Sequence, residues 1–145
     1  MLNAVVDVSE WLKNKLGWER SEVTIKHPQG DWPVYVPGED YIEMPEPGFF
    51  TFLGSLGTPE LLEGVIYHEY GHAVLWSIYG IRAPYGPGPK KHFIYSESSK
   101  GFAFNEGFAY FLEQVVRREL KKSGSSLFDW PLKEADIEKK TPGTM

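Results

Sequence analysis

Residues 59–79 carry apolar side chains on almost every side of a would-be helix. Leu61, Leu62, Val65, Ile66, Ala73, Leu75, Trp76 and Ile78 leave no wide polar face, the pattern of a helix buried all round. Thr58 suits the N-cap, Pro59 the first helical position, and Glu60 and Glu63 the first turn. Gly80 supplies a stop. A second helical run, about 104–122, begins around Asn105-Glu106-Gly107-Phe108-Ala109 and keeps an apolar side through Val115, Val116 and Leu120. Arg117, Arg118, Lys121 and Lys122 crowd its end, where cations favour the helix dipole, and Ser123-Gly124 closes it. Between the two runs, residues 83–91 read Ala-Pro-Tyr-Gly-Pro-Gly-Pro-Lys-Lys, which excludes regular structure.

Upstream, residues 8–16 form a short amphipathic pattern that Gly17 stops. Residues 23–27, 33–36 and 41–44 alternate as strands do. Gly30-Asp31 predicts a hairpin between the first two, Pro37-Gly38 marks the next turn, and residues 49–53 make a fourth apolar piece. An N-terminal helix, a small mainly antiparallel sheet and then two long helices is an α+β order. The length of 145 residues predicts one domain, 1–145. Its tail, 124–145, has apolar anchors in Leu127, Phe128 and Trp130 but no clear period. Two readings of it stand: ordinary core packing, or a cover over a functional cleft, with Asp129 turned into it.

The chemistry lies inside the first long helix. His68-Glu69-Tyr70-Gly71-His72 is an HExxH. Positions four apart share a helix face, so both imidazoles can grip one ion from a rigid support, and Glu69 is close enough to reach a water on it. Zinc suits two histidine nitrogens and, in catalytic sites, keeps a position open for water. The set also accepts other divalent metals. Two histidines and a glutamate inside a buried helix need partners, which favours a metal site over a chance pattern.

A catalytic zinc takes a third protein ligand. The candidates are His92, Glu97, Glu106 and Glu113. His92 and Glu97 follow the Gly/Pro-rich stretch, where a ligand would sit on a loop, and rank low. Glu106 at the start of the second helix either completes the metal site or simply favours the helix N-terminus; the upstream HExxH tips the choice toward the ligand. Gly107 costs helix stability relative to alanine and predicts a close approach by another backbone or a ligand. His27, before Pro28, has no motif spacing and reads as a turn or surface residue.

With both motifs in this order, the chain resembles the gluzincin metallopeptidases, in which HExxH on one helix is followed by a zinc-binding glutamate on a later "glutamate helix", often as NEG plus a hydrophobic residue and alanine. In length it is similar to the small soluble minigluzincins. The resemblance implies a zincin-like fold, one zinc ion held by His68, His72 and Glu106, and Glu69 as general base of peptide hydrolysis. It also implies a sheet edge that binds an extended peptide, and it fits latency imposed by a chain terminus. Three departures stand out. The spacing between His72 and Glu106 is long. Tyr110 occupies the position, four beyond the ligand glutamate, where many members carry a carboxylate that orients the first histidine; Glu113 is the substitute, while Tyr110 either packs or contacts the reacting carbonyl. The Gly-x-Met-Glu-Asn segment of the large aminopeptidases is missing, which points toward an endopeptidase. The alternative from another class is a catalytically silent zinc domain that binds a peptide or protein partner in its cleft.

Composition narrows the partners. The net charge of −5 argues against nucleic acid. No cysteine is present, which removes thiolate metal sites and disulfides and fits a reducing compartment. The first residues lack the pattern of a secretory signal, and no run reaches the length of a membrane span. The expectation is a cytoplasmic protein acting on peptides, of unassigned oligomeric state.

Overall fold

A computed structural model describes residues 2–20, 22–46, 59–82, 86, 88, 92 and 96–120. The order is helix α1 (Leu2–Leu16), strands β1 (Thr24–Lys26), β2 (Val34–Val36) and β3 (Tyr41–Glu43), helix α2 (Pro59–Tyr79), a single 3₁₀ turn (Gly80–Arg82) and helix α3 (Lys100–Glu119). The fold is α+β, as expected. The apolar piece at 49–53, the Thr58 cap and the tail 124–145 lie outside the described residues.

Helix α1 is longer than its amphipathic pattern predicts. It begins at Leu2 rather than near residue 8, because Ala4, Val8 and Leu12, spaced four apart, form one buried stripe. Gly17, at φ +63°, ends it as expected.

The three strands form where the alternation places them, but their pairing differs. The sheet order is β1-β3-β2. β2 and β3 are antiparallel, in register Tyr35 with Ile42, whereas β1 runs parallel to β3, Ile25 beside Ile42. The sheet is thus mixed, and the hairpin expected at Gly30-Asp31 does not join β1 to β2. The turn at 37–40, with Gly38 at φ +83° and Asp40 at φ +54°, makes the hairpin instead, between β2 and β3. Beyond β1 the chain stays on β3: the Gln29 N–H donates to the Met44 carbonyl at 2.8 Å. A period of two tells which face each side chain takes and is silent about which strand is the neighbour.

Helix α2 starts at Pro59 and ends before Gly80 (φ +55°), as predicted. It is the centre of the molecule. Val65, Ile66, Tyr67, Tyr70, Ala73 and Val74 are buried in one apolar cluster with Ala4, Val8 and Leu12 of α1, Tyr35 and Ile42 of the sheet, and Leu112 and Val116 of α3. Helix α3 begins earlier than expected. Ser99 is its N-cap and accepts a hydrogen bond from the Phe102 N–H at 3.2 Å. Among the described residues, no helix is long and apolar enough to cross a membrane.

Candidate metal centre

Gly71 and Ala109 determine how near α2 and α3 come. A Cβ on Gly71 would lie 2.7 Å from the Ala109 Cα, so a hydrogen at this position is what permits the contact. Glycine inside a buried helix costs about 1 kcal/mol relative to alanine, and this packing accounts for it. The close backbone approach that Gly107 allows is not made: among the described residues, nothing lies within 4 Å of where its Cβ would be. The glycine of close approach is the one inside the HExxH.

This packing brings Glu106 onto the two histidines. Its Oε2 is 3.1 Å from His68 Nε2 and its Oε1 is 3.4 Å from His72 Nε2. Glu106 stands in the second turn of α3, six residues after the helix begins. The alternative that it serves the helix N-terminus therefore falls. Burial opposes its ionisation, but the hydrogen bonds from His68 and His92 outweigh that and hold its carboxyl well below the usual range. His68 shows the reverse balance. Burial works against its charge, yet the hydrogen bond to Glu106 and the carboxylates of Glu69, Glu106 and Glu113 raise its pKa.

Behind each imidazole stands a polar group of α3. His72 Nδ1 is 2.6 Å from Asn105 Oδ1. That oxygen accepts, so Nδ1 donates to it, and Nε2 is the nitrogen turned toward Glu106. The donor set of two imidazole nitrogens and a carboxylate suits zinc. Behind His68, Nδ1 is 3.9 Å from Glu113 Oε2, and Glu113 is fully buried with Arg117 Nη1 at 3.2 Å. Glu113 thus takes up the place expected of it as the substitute carboxylate, at ion-pair distance. The Tyr110 ring packs edge-on against His68, centroids 4.7 Å apart, so the packing reading of Tyr110 is the one the geometry supports. Burial pushes its hydroxyl well up, and the carboxylates nearby add to this.

Glu69 is held from the sheet. The Tyr35 N–H donates to its Oε2 at 2.7 Å. β2 is an edge strand, and it turns this N–H away from β3 toward α2. Its own position is braced: the Tyr35 hydroxyl donates to Asp40 Oδ1 at 2.6 Å, and Arg20 pairs with the same oxygen. The Tyr35 hydrogen bond, aided by Arg20 against some desolvation, keeps the Asp40 carboxyl below its ordinary range.

Glu69, His72, Asn105, Glu106 and His92 open onto one cleft of about 200 Å³, walled by Trp32, Pro33, Val34, Tyr35 and Pro37 of the β2 segment. His92 is the departure from the sequence ranking. Its Nε2 is 2.9 Å from Glu106 Oε2. Donor atoms of His68, His92 and Glu106 lie within 4.8 Å of one another, as do those of His68, Glu69 and His72. Glu97 is exposed and does not line the cleft. His27 sits exposed at the strand end, Nδ1 3.2 Å from the Met44 carbonyl, the turn residue it was expected to be. Asn105, adjacent to Glu106, was visible as part of the motif, but its hold on His72 was not. The Tyr35 contact uses a backbone atom that no residue type announces.

Comparison with known proteins agrees with this reading at the level of family. Neither curated proteins nor solved structures gave a match. Residues 57–131, just over half of the chain and including both α2 and α3, match the Mycolysin C-terminal domain. The chain belongs to that family, a domain of gluzincin peptidases.

Proposed function

We propose that this chain is a zinc-dependent peptidase, an endopeptidase by the missing aminopeptidase segment, with His68, His72 and Glu106 holding one ion and Glu69 as general base. The observation that carries the reading is the meeting of both Nε2 atoms with the Glu106 carboxylate, 3.1 and 3.4 Å away, at the wall of a cleft that Glu69 shares. Donor atoms around a tetrahedral zinc with bonds of ~2.0–2.1 Å stand roughly 3.3 Å apart, close to the two separations from Glu106. When bound, the ion supplies an acidified water and polarises the scissile carbonyl.

The chain's own residues do the rest. One oxygen of Glu69 is fixed by the Tyr35 N–H, which leaves the other to take a proton from that water and return it to the leaving amine. Asn105 and Glu113 keep the imidazoles aimed, the role that outer partners play in metal sites. The β2 edge gives an extended peptide a wall to lie along. In a strand, the N–H and C=O of one residue point the same way, so the Tyr35 carbonyl faces outward with its N–H. Pro33 and Pro37, on the same side, have no N–H to offer. A peptide laid on this edge donates to carbonyls and receives little in return while Glu69 occupies the Tyr35 amide.

The test is a mixed peptide library with and without chelator, together with Glu69→Gln. Chelator-sensitive cleavage is expected, and the variant keeps its zinc while its cleavage rate falls about 10²–10⁴-fold, the range for a lost general base. Undiminished cleavage by Glu69→Gln removes the assignment of the base. A silent zinc domain that binds a peptide partner remains the second reading, favoured by the contact of His92 with Glu106. Zinc bound at one equivalent without cleavage of any library member decides for it.

A further inference from the structure

His92 has no motif spacing and follows a run of proline and glycine, yet it is seated in a niche. Its ring meets Phe102 edge-on, centroids 4.9 Å apart, and Trp32 at 6.4 Å. Phe102 lies four residues before Glu106, on the same face of α3, so one helix carries both the ring that flanks His92 and the carboxylate that receives it. Gly86 and Gly88 bring the chain to this place. A Cβ on Gly86 would overlap the Ser99 hydroxyl that caps α3, and one on Gly88 would overlap the Phe102 ring. The chain therefore comes against the first turn of the helix at Gly86 and Gly88, where no side chain stands in the way.

At the end of this approach, His92 Nε2 and His68 Nε2 address the same Glu106 oxygen, at 2.9 and 3.1 Å. Both separations are close to the roughly 3.3 Å edge of a tetrahedral zinc shell. Resting on the reading of the site as a zinc centre, we propose that His92 is a fourth protein ligand, through Nε2, and that it closes the shell begun by His68, His72 and Glu106. Four protein ligands is the count of closed zinc sites, and three with a free position is that of catalytic ones. His92 is the member of the four carried outside both helices. It can leave the shell and admit water while α2 and α3 keep their contact, so the resting chain is shut and opens by surrendering one imidazole.

The experiment is zinc K-edge X-ray absorption on the full chain loaded with one equivalent of zinc, counting imidazoles in the shell. Wild type shows three and His92→Ala two, and the zinc Kd of the variant is weaker by about tenfold or more, at least the loss seen when outer partners of a metal ligand are removed. His92→Asn, closer in size and polarity, serves as the second variant, with circular dichroism confirming the helices. Two imidazoles in wild type, or an equal count in wild type and variant, overturns the assignment of His92 and leaves the three-ligand centre standing. Failure of wild type to take up zinc overturns the metal centre itself.

Discussion

One side of α2 meets α1 and the sheet through hydrocarbon: Ile66, Tyr67, Tyr70 and Ala73 join Ala4, Val8, Leu12 and Ile42 in a continuous cluster. The other side meets α3 through His68 and His72, set against Asn105, Glu106, Glu113 and Arg117. Both sides are buried, and they obey different rules. Apolar contacts are many and individually small, so a lost methyl group is felt in proportion. Buried charges are few and mutually dependent, so losing one leaves another without compensation in a medium that punishes it. The helix could not be stable with the second kind of side alone. The first supplies the stability that lets the second hold converging donors ready for a cation.

The contrast can be broken most sharply at Glu113. Glu113→Ala breaks the buried ion pair with the Arg117 guanidinium, which is 6% exposed, and the expected loss is about 3–5 kcal/mol of unfolding free energy. Urea denaturation measures it, and the zinc Kd weakens in parallel as His68 loses the carboxylate behind it. A loss below about 1 kcal/mol would show that the charged side is as forgiving as the apolar one. Gly71→Ala comes next. Alanine gains up to ~1 kcal/mol of helix propensity, but the new methyl meets backbone at 2.7 Å, and overpacking costs about 1–3 kcal/mol. The variant is therefore net destabilised, and its zinc affinity falls because Glu106 is pushed from the histidines. Ile66→Val, on the apolar side, is the smallest, about 0.5–1.5 kcal/mol. It lowers Tm and leaves zinc stoichiometry at one; lost zinc there would mean that the two sides are not separable.

Much of this is legible in the amino-acid sequence. Helix α2 could be read almost to the residue, because Pro59 and Gly80 punctuate an apolar run too long for a strand. His68, His72, Glu69 and Glu106 stand out by helical spacing and by motif order, and the structure brings Glu69, His72 and Glu106 to one cleft, with His68 against Glu106 behind it. The misreadings share a cause. The β1–β2 hairpin, a backbone neighbour at Gly107 and the separation of His92 from Glu106 are all judgements about which distant segment is a neighbour. Local pattern reports a residue's own conformation and face, whereas neighbours are chosen by the packing of the whole chain. The start of α1 was missed for a smaller reason, since Ala4 belongs to a stripe whose partner surface is made only when α2 arrives.

By itself, then, the amino-acid order determined the helices, the alternation of the strands and the pair of imidazoles one turn apart, since each follows from backbone geometry over a few residues. Tertiary structure decided how closely α2 and α3 approach through Gly71 and Ala109, which groups stand behind each histidine, that a sheet amide holds Glu69, and that His92 reaches Glu106. Those outcomes depend on contacts between residues far apart in sequence, and such contacts exist only once the apolar faces have been buried together.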